Sequence, residues 1–286
     1  MTDEKTSIRK RIGDIKSFYN VDVTREVKSD KFKRANGVCC DDKGFLYLTC
    51  AQMKKLLIFN DKLEFIKEIN LDGKPSYIVC FKGRLFITFG NDKSIGIYDL
   101  EGQEIDRLEN RLSDFIDSQF TLFAMGAGDE SLVLVDFNKN DLHFIAENGD
   151  YLKKTHIEDL VFQDTSTRLV RKMVFKGNEL FMMDLHGIIY RLNESGNVDV
   201  VFKAVDCIIR DAIDFAFFGE KICILERNCN HLFLFDRSTG DYLRWKIDNG
   251  NVFRMTSWGR QLLIPVSSHG ALSADSKSRI IEIYIS

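Results

Sequence analysis

The histidines, carboxylates and basic residues of this chain are where its chemistry could lie. His186, His231 and His269 each fall in or beside a polar loop between two apolar runs. Three imidazoles brought together from such loops could bind zinc and leave a position open for water. Asp136, Asp184 and Glu226 close apolar runs at similar places. Gathered together, they could supply some of the six or more oxygens that calcium takes. Two further runs of the same kind end at Cys50 and Phe89, which cannot serve. The plainer alternatives are buried or solvated imidazoles, and turn or capping hydrogen bonds from the carboxylates. No carboxylate or hydroxyl partner for a histidine is evident from spacing. These residues are therefore weak metal candidates, no metal is assigned, and no cofactor is expected. There is no GxSxG, no glycine-rich phosphate loop and no HExxH. Ser267, Ser268, Ser273 and Ser276 share one loop without an identifiable base, so no catalytic residue is assigned.

The basic residues are clustered. Lys54, Lys55, Lys74 and Lys93 lie in the first third of the chain, and Arg168, Arg171, Arg210 and Arg227 follow. With Phe115, Phe120 and Phe162 they could orient and anchor a protein segment. They could also neutralise and stack a single-stranded nucleic acid. Asp92, Asp114, Asp117, Glu158, Asp159, Asp164 and Asp211 occupy the same loops and would cancel much of that field. A mixed, solvated rim is the plainer alternative. The net charge of −3 over 286 residues excludes a wholly basic nucleic-acid surface but permits a local patch.

The elements that must position these residues follow from composition and repetition. Hydrophobic residues make up 44% and aromatics 12%, enough for a sizeable core and incompatible with general disorder. Seven cysteines, an odd number without a CxxC pair, point to buried free thiols rather than a disulfide framework. No apolar run reaches the ~18 residues of a membrane span. The opening MTDEKTSIRKRIGD lacks the apolar stretch of a secretory signal. A cytoplasmic protein without a membrane partner is expected.

The segment Ile224–Asp236, ILERNCNHLFLFD, lies without gaps over Leu48–Asn60, Ile87–Asp99 and Leu134–Ala146. A copy at Phe181–Asn193 has a shorter loop, and one ending at Ser286 has a longer one. The first five copies in chain order end at 60, 99, 146, 193 and 236, in steps of 39, 47, 47 and 43 residues. Each copy sits among four β-branched and aromatic runs separated by Gly, Asn and Asp, the signature of strands and turns. Four strands per ~40–50 residues is the spacing of propeller blades. The last repeat stops after its third strand. The alternating run Val21–Val27 is expected to supply the missing outer strand and close the ring, because an open ring would expose a sheet edge. Ile8, Ile12, Ile15 and Phe18 fall at helical spacing. Residues 1–20 are read as an N-terminal segment with an amphipathic helix over 3–18, or a frayed basic tail bearing Arg9, Lys10 and Arg11. Residues 21–286 are read as the propeller.

Within the fifth repeat, Asn230-His231-Leu232 resembles the signature of the NHL repeat. The other copies carry Lys54-Lys55-Leu56, Lys93-Ser94-Ile95 and Asn140-Asp141-Leu142 in its place. By spacing the resemblance extends over about residues 35–286. It implies an all-β, six-bladed propeller of four-stranded blades, similar to the propeller of TRIM-NHL proteins. No RING finger, B-box or coiled coil is expected ahead of it. Similar rings occur in lactonase-like hydrolases, which hold calcium at the centre, and in peptide-amidating lyases, with a histidine-lined metal site. In the NHL signature the histidine is ordinarily structural, and RNA-binding members use arginines and aromatics on one face. The leading expectation is a non-enzymatic scaffold that recognises a protein segment on the loop-rich face, where 110–120, 158–170 and 267–278 are the longer loops. Single-stranded RNA binding and a metal-dependent hydrolase or lyase are the alternatives, so enzymatic activity stays open.

Overall fold

The computed structural model describes residues 21–89, 94–108, 122–136, 141–157, 170–192, 198–203, 209, 211–239, 241–248, 250–267 and 278–285. These residues form six antiparallel sheets and no helix. Blade one is β2 (Gly37–Cys40), β3 (Leu46–Cys50), β4 (Lys55–Phe59) and β5 (Phe65–Asn70). Blade two is β6 (Pro75–Phe81), β7 (Arg84–Phe89), β8 (Ser94–Tyr98) and β9 (Glu104–Arg107). Blade three is β10 (Leu122–Ala127), β11 (Leu132–Asp136), β12 (Asp141–Ile145) and β13 (Tyr151–His156). Blade four is β14 (Lys172–Lys176), β15 (Glu179–Met183), β16 (Ile189–Leu192) and β17 (Val198–Phe202). Blade five is β18 (Ala212–Phe218), β19 (Lys221–Glu226), β20 (His231–Asp236) and β21 (Tyr242–Lys246). In each of these the strands pair in chain order from the axis outward.

Blade six joins the two ends of the chain. β22 (Asn251–Val252) and β23 (Thr256–Trp258) pair with β24 (Gln261–Ser267), then comes β25 (Ser278–Ile285), and β1 (Val21–Ser29) lies outside it. β1 runs antiparallel to β25 from Val21↔Ile285 to Ser29↔Ser278. This is the expected ring closure. Thr24 Oγ1 donates a 2.6 Å hydrogen bond to Glu282 Oε1 and anchors the seam. The expected helix over 3–18 lies outside the described residues. Among the described residues no helix is long and apolar enough to cross a membrane.

Residue type explains each strand's place. The second and third strands of blades one and three are buried at nearly every position, as in LYLTC of β3 and LVLVD of β11. A strand covered on both faces loses the period-two alternation and reads as a continuous apolar run. The outer strand β5, FIKEIN, alternates half-buried and exposed residues because one face meets water. The core is a series of layers between neighbouring blades. Leu56, Ile58 and Ile87 belong to the layer between blades one and two, and Phe86 and Leu134 to the next. Met182 packs with Val133 between blades three and four. Phe181, Phe233 and Ile281 share one large cluster that runs across blades four, five and six. Leu48 and Ile280 meet between blades six and one.

The inner strand of blade six differs from the sequence reading. One run, FRMTSWG, is expected there, but the strand is broken into β22 and β23. Met255 N leaves the ladder and donates to Asp214 Oδ2 of blade five at 2.9 Å. The inner strands of blades two, three and five shift register near the same end, at Pro75/Ile78, Leu122/Met125 and Ala212/Asp214. Such bulges re-aim side chains, here around the axis. Deleting residues 1–29 is expected to bare the apolar edge of β25, lower the thermal unfolding midpoint and drive self-association. Melting curves and size-exclusion chromatography check this.

Candidate functional site

The antiparallel order of every blade brings four kinds of chain end to one face: the starts of the first and third strands and the ends of the second and fourth. At the centre of this face the inner strands begin, and their first residues line a mouth around the axis. Arg254 spans it. Its Nη1 donates to Ile213 O of blade five at 2.6 Å, its Nε donates to Asn36 O beside blade one at 3.3 Å, and its guanidinium lies 4.5 Å from the ring centre of Tyr77 in blade two. Tyr77 donates from its hydroxyl to Arg171 O beside blade four at 3.4 Å. One guanidinium and one phenol thus link five blades. Lys172 of blade four pairs with Asp214 Oδ1 of blade five at 3.3 Å, and Asp214 is wholly buried.

The mouth carries an excess of guanidinium over carboxylate among the described residues. Arg227 donates to Asp211 Oδ2 through Nε at 2.9 Å and lies 2.8 Å from it through Nη2. Arg171 lies within the electrostatic reach of Arg227, Arg254 and Asp211. Burial lowers its pKa, the two other arginines push the same way, and Asp211 opposes them. Its Nε is buried without an acceptor among the described residues, and so is Nε of Arg34, whose guanidinium stacks 4.3 Å from the ring centre of Phe253. Below the mouth, a cavity of about 180 Å³ follows the axis and is lined in part by Cys39, Cys40, Cys80 and Lys172. Burial pushes the Cys40 thiol up to about 12 and Cys80 to about 11. They stay protonated at neutral pH and are poor nucleophiles.

In blade five, Glu226 and His231 face each other across the turn between β19 and β20. His231 Nδ1 lies 3.2 Å from Glu226 Oε2, and Arg244 Nη2 lies 3.0 Å from Nε2. An Nδ1–H tautomer donates to the carboxylate, while Arg244 Nη2, also 3.3 Å from Nδ1, lies over the ring rather than along the Nε2 lone pair. Burial holds the His231 pKa below its usual range and Arg244 adds to this, while the Glu226 hydrogen bond pulls it upward. Asn230 explains the turn itself. Its φ of 53° lies in the left-handed region, which asparagine tolerates. Its Nδ2 donates to Gly250 O at 2.6 Å and ties the turn to blade six.

The sequence-predicted residues scatter between these settings. Arg171 and Arg227 both lie at the mouth. Lys54 and Lys74 are exposed on the same face, in the turn after β3 and ahead of β6. Lys55 is drawn away, because its ammonium pairs with Glu68 of β5 in its own blade. Lys93, Phe115, Phe120, Phe162, Arg168, Arg210 and His269 lie outside the described residues. Asp184 is a turn acceptor: Oδ1 takes the amides of His186 and Ile188, both at 2.9 Å, and Oδ2 takes the Tyr190 hydroxyl at 3.1 Å. Asp136 faces Asp141 across its own turn in blade three. His186 sits exposed on the blade-four turn, apart from His231. Among the described residues, Asp136, Asp184 and Glu226 therefore do not converge, and neither do His186 and His231. Sequence reasoning missed Arg254, Tyr77, Asp214, Lys172 and Arg34. Their shared signal is position at the start of an inner strand, which the outline of the repeat already contained.

No protein-family model matches this chain, and no curated protein matches it. Solved structures do resemble it. Virginiamycin B lyase from Staphylococcus aureus is 15% identical, with 93% of this chain and 88% of that one covered and a TM-score of 0.59. The β-propeller domain of Cps50 (Swd1) from Myceliophteria thermophila is 13% identical, with 94% and 100% covered and a TM-score of 0.63. BamB from Moraxella catarrhalis is 9% identical, with 93% and 98% covered and a TM-score of 0.58. At these identities the likeness is one of fold: the chain is a six-bladed β-propeller.

Lys172→Met is expected to leave the buried Asp214 carboxylate without its ammonium partner and to cost about 3–5 kcal/mol. Lys172→Met combined with Asp214→Asn should recover part of that loss in urea unfolding. His231 titrates in the other test. Its folded pKa lies below the unfolded value of about 6.5, so its contribution is complete above that value and is lost as pH falls through the folded pKa. Unfolding at pH 7.5 and 5.5 should show lower stability at the acid end, and His231→Gln should flatten the difference.

Proposed function

We propose that this propeller is a non-enzymatic scaffold that binds an acidic segment of a protein partner across its mouth. The observation that carries this reading is Arg171, a half-buried arginine within the electrostatic reach of Arg227 and Arg254 whose Nε has no acceptor among the described residues. A carboxylate from a partner would pair with the solvent-facing part of this half-buried guanidinium and relieve the crowding of positive charge, through charge-assisted hydrogen bonds. Lys54 and Lys74, exposed on the same face, would steer and orient the segment. Phe115, Phe120 and Phe162 remain the proposed anchors, and Lys93, Arg168 and Arg210 further orienting cations.

The NHL assignment belongs to the same proposal. It rests on Asn230-His231-Leu232, whose asparagine supports the left-handed turn and whose histidine is buried against Glu226. Single-stranded RNA would use the same cations, but it also needs free aromatic faces. Tyr77 and Phe253 at the mouth each carry a guanidinium over one face, from Arg254 and Arg34, which favours the protein reading. A lyase or hydrolase reading has only fold likeness behind it, including that to a virginiamycin B lyase.

Fluorescence anisotropy with a Glu/Asp-rich peptide and its Gln/Asn counterpart tests the reading. The acidic peptide alone is expected to bind, more weakly as salt rises. Arg171→Gln should cost about tenfold, the scale of one lost hydrogen bond to a charged group. Equal binding of both peptides, or tighter binding of a random single-stranded RNA pool, would overturn it.

A further inference from the structure

We infer that the turn between β19 and β20 is a binding site for a divalent transition metal such as zinc, with Glu226, Cys229 and His231 as ligands and the fourth position open. Among the described residues this is the one trio of such groups whose ligand atoms all lie within 4.8 Å of one another. The spacing of the buried pair fits. Zinc bonds to N and O of about 2.0–2.1 Å at the tetrahedral angle hold neighbouring ligand atoms roughly 3.3 Å apart. Glu226 Oε2 and His231 Nδ1 stand 3.2 Å apart. Cys229 is exposed at the tip of the turn, so its sulfur closes the third side while the outer side faces solvent. A carboxylate and a thiolate neutralise a dication, and neutral imidazole completes a mixed O, S, N set that suits zinc.

The frame is rigid before any metal arrives. Arg227 N donates to Asp211 O at 3.1 Å, and Asn230 N closes the turn on Arg227 O at 3.2 Å. Ile247 N donates to Asn230 O at 2.8 Å, and Asn230 Nδ2 is held by Gly250 O. Blade one builds the same left-handed turn at Lys54, but Cys50, Met53 and Lys55 stand at the three places. In blades one and three the first residue of the third strand ion-pairs with the outer strand, Lys55 with Glu68 and Asp141 with Lys154. In blade five that residue is His231 and its outer-strand neighbour is Arg244. Arg244 is exposed. It moves to solvent when the metal takes Nδ1, since Nε2 then carries the ring proton. Binding also releases the Cys229 thiol proton to solvent, so affinity rises with pH. The trio differs from both metal sets drawn from the sequence, and neither of those contained Cys229.

Cobalt(II) titrated into the purified full chain is the test. One equivalent is expected to bind with a thiolate-to-cobalt charge-transfer band, and zinc is expected to displace it. Cys229→Ser, at an exposed position, should abolish that band and weaken binding by at least about tenfold, and Glu226→Gln should weaken it by about the same factor. In the unmodified chain zinc should also slow alkylation of Cys229 by iodoacetamide, read by peptide mass spectrometry. A charge-transfer band that persists in Cys229→Ser, the absence of stoichiometric cobalt binding, or alkylation of Cys229 indifferent to zinc would overturn the site.

Discussion

Each blade of this protein buries both faces of its middle strands against its two neighbours, and the rest of the structure depends on that burial. A sheet with two apolar faces cannot end in water, so the stack must return on itself. The apolar layers run from Leu56 and Ile87 between blades one and two round to Leu48 and Ile280 between blades six and one. β1 and β25 come from opposite ends of the chain and pair over eight residues of register, so the seam converts a linear repeat into a ring.

The ring has a charged centre at the axis. The first residues of the six inner strands surround one mouth, and charged side chains fill it. The wholly buried Asp214 takes backbone amides from Phe215 and Met255 and the ammonium of Lys172. Arg254 satisfies carbonyls from two blades. A carboxylate removed from water is tolerable only when paired and hydrogen-bonded, and the break between β22 and β23 is how the amide of Met255 becomes available. The arginines left over at the rim, half-buried Arg171 among them, are the surplus of this arrangement.

The turn of blade five shows how a repeat diversifies. Its backbone is that of blade one, with a left-handed residue at the same place, Asn230 against Lys54. Its side chains differ at each position facing the turn. The frame is conserved by geometry within the molecule while the chemistry varies, and loops held on a rigid scaffold are where that costs least. His231 and Glu226 were visible in the sequence as separate candidates in separate schemes. Their partnership was not, because it depends on a cross-turn register in which the last residue of β19 meets the first of β20.

The chain's own residues determined the strand pattern, the blade period, the six-fold count and the closing strand, because buried sheets write themselves as apolar runs and turns as Gly, Asn and Asp. Asn230 could be read as a turn residue for the same local reason. Only the tertiary structure decided what the charged residues do. Lys55 and Arg171 look alike as basic loop residues, yet one is neutralised by Glu68 in its own blade and the other stands half-buried at the axis. Arg254 and Tyr77 are 177 positions apart and stack across the mouth. Local periodicity carries strand identity, whereas the meeting of side chains from different blades is set by how six separate sheets pack, and nothing in the spacing along the chain encodes that distance.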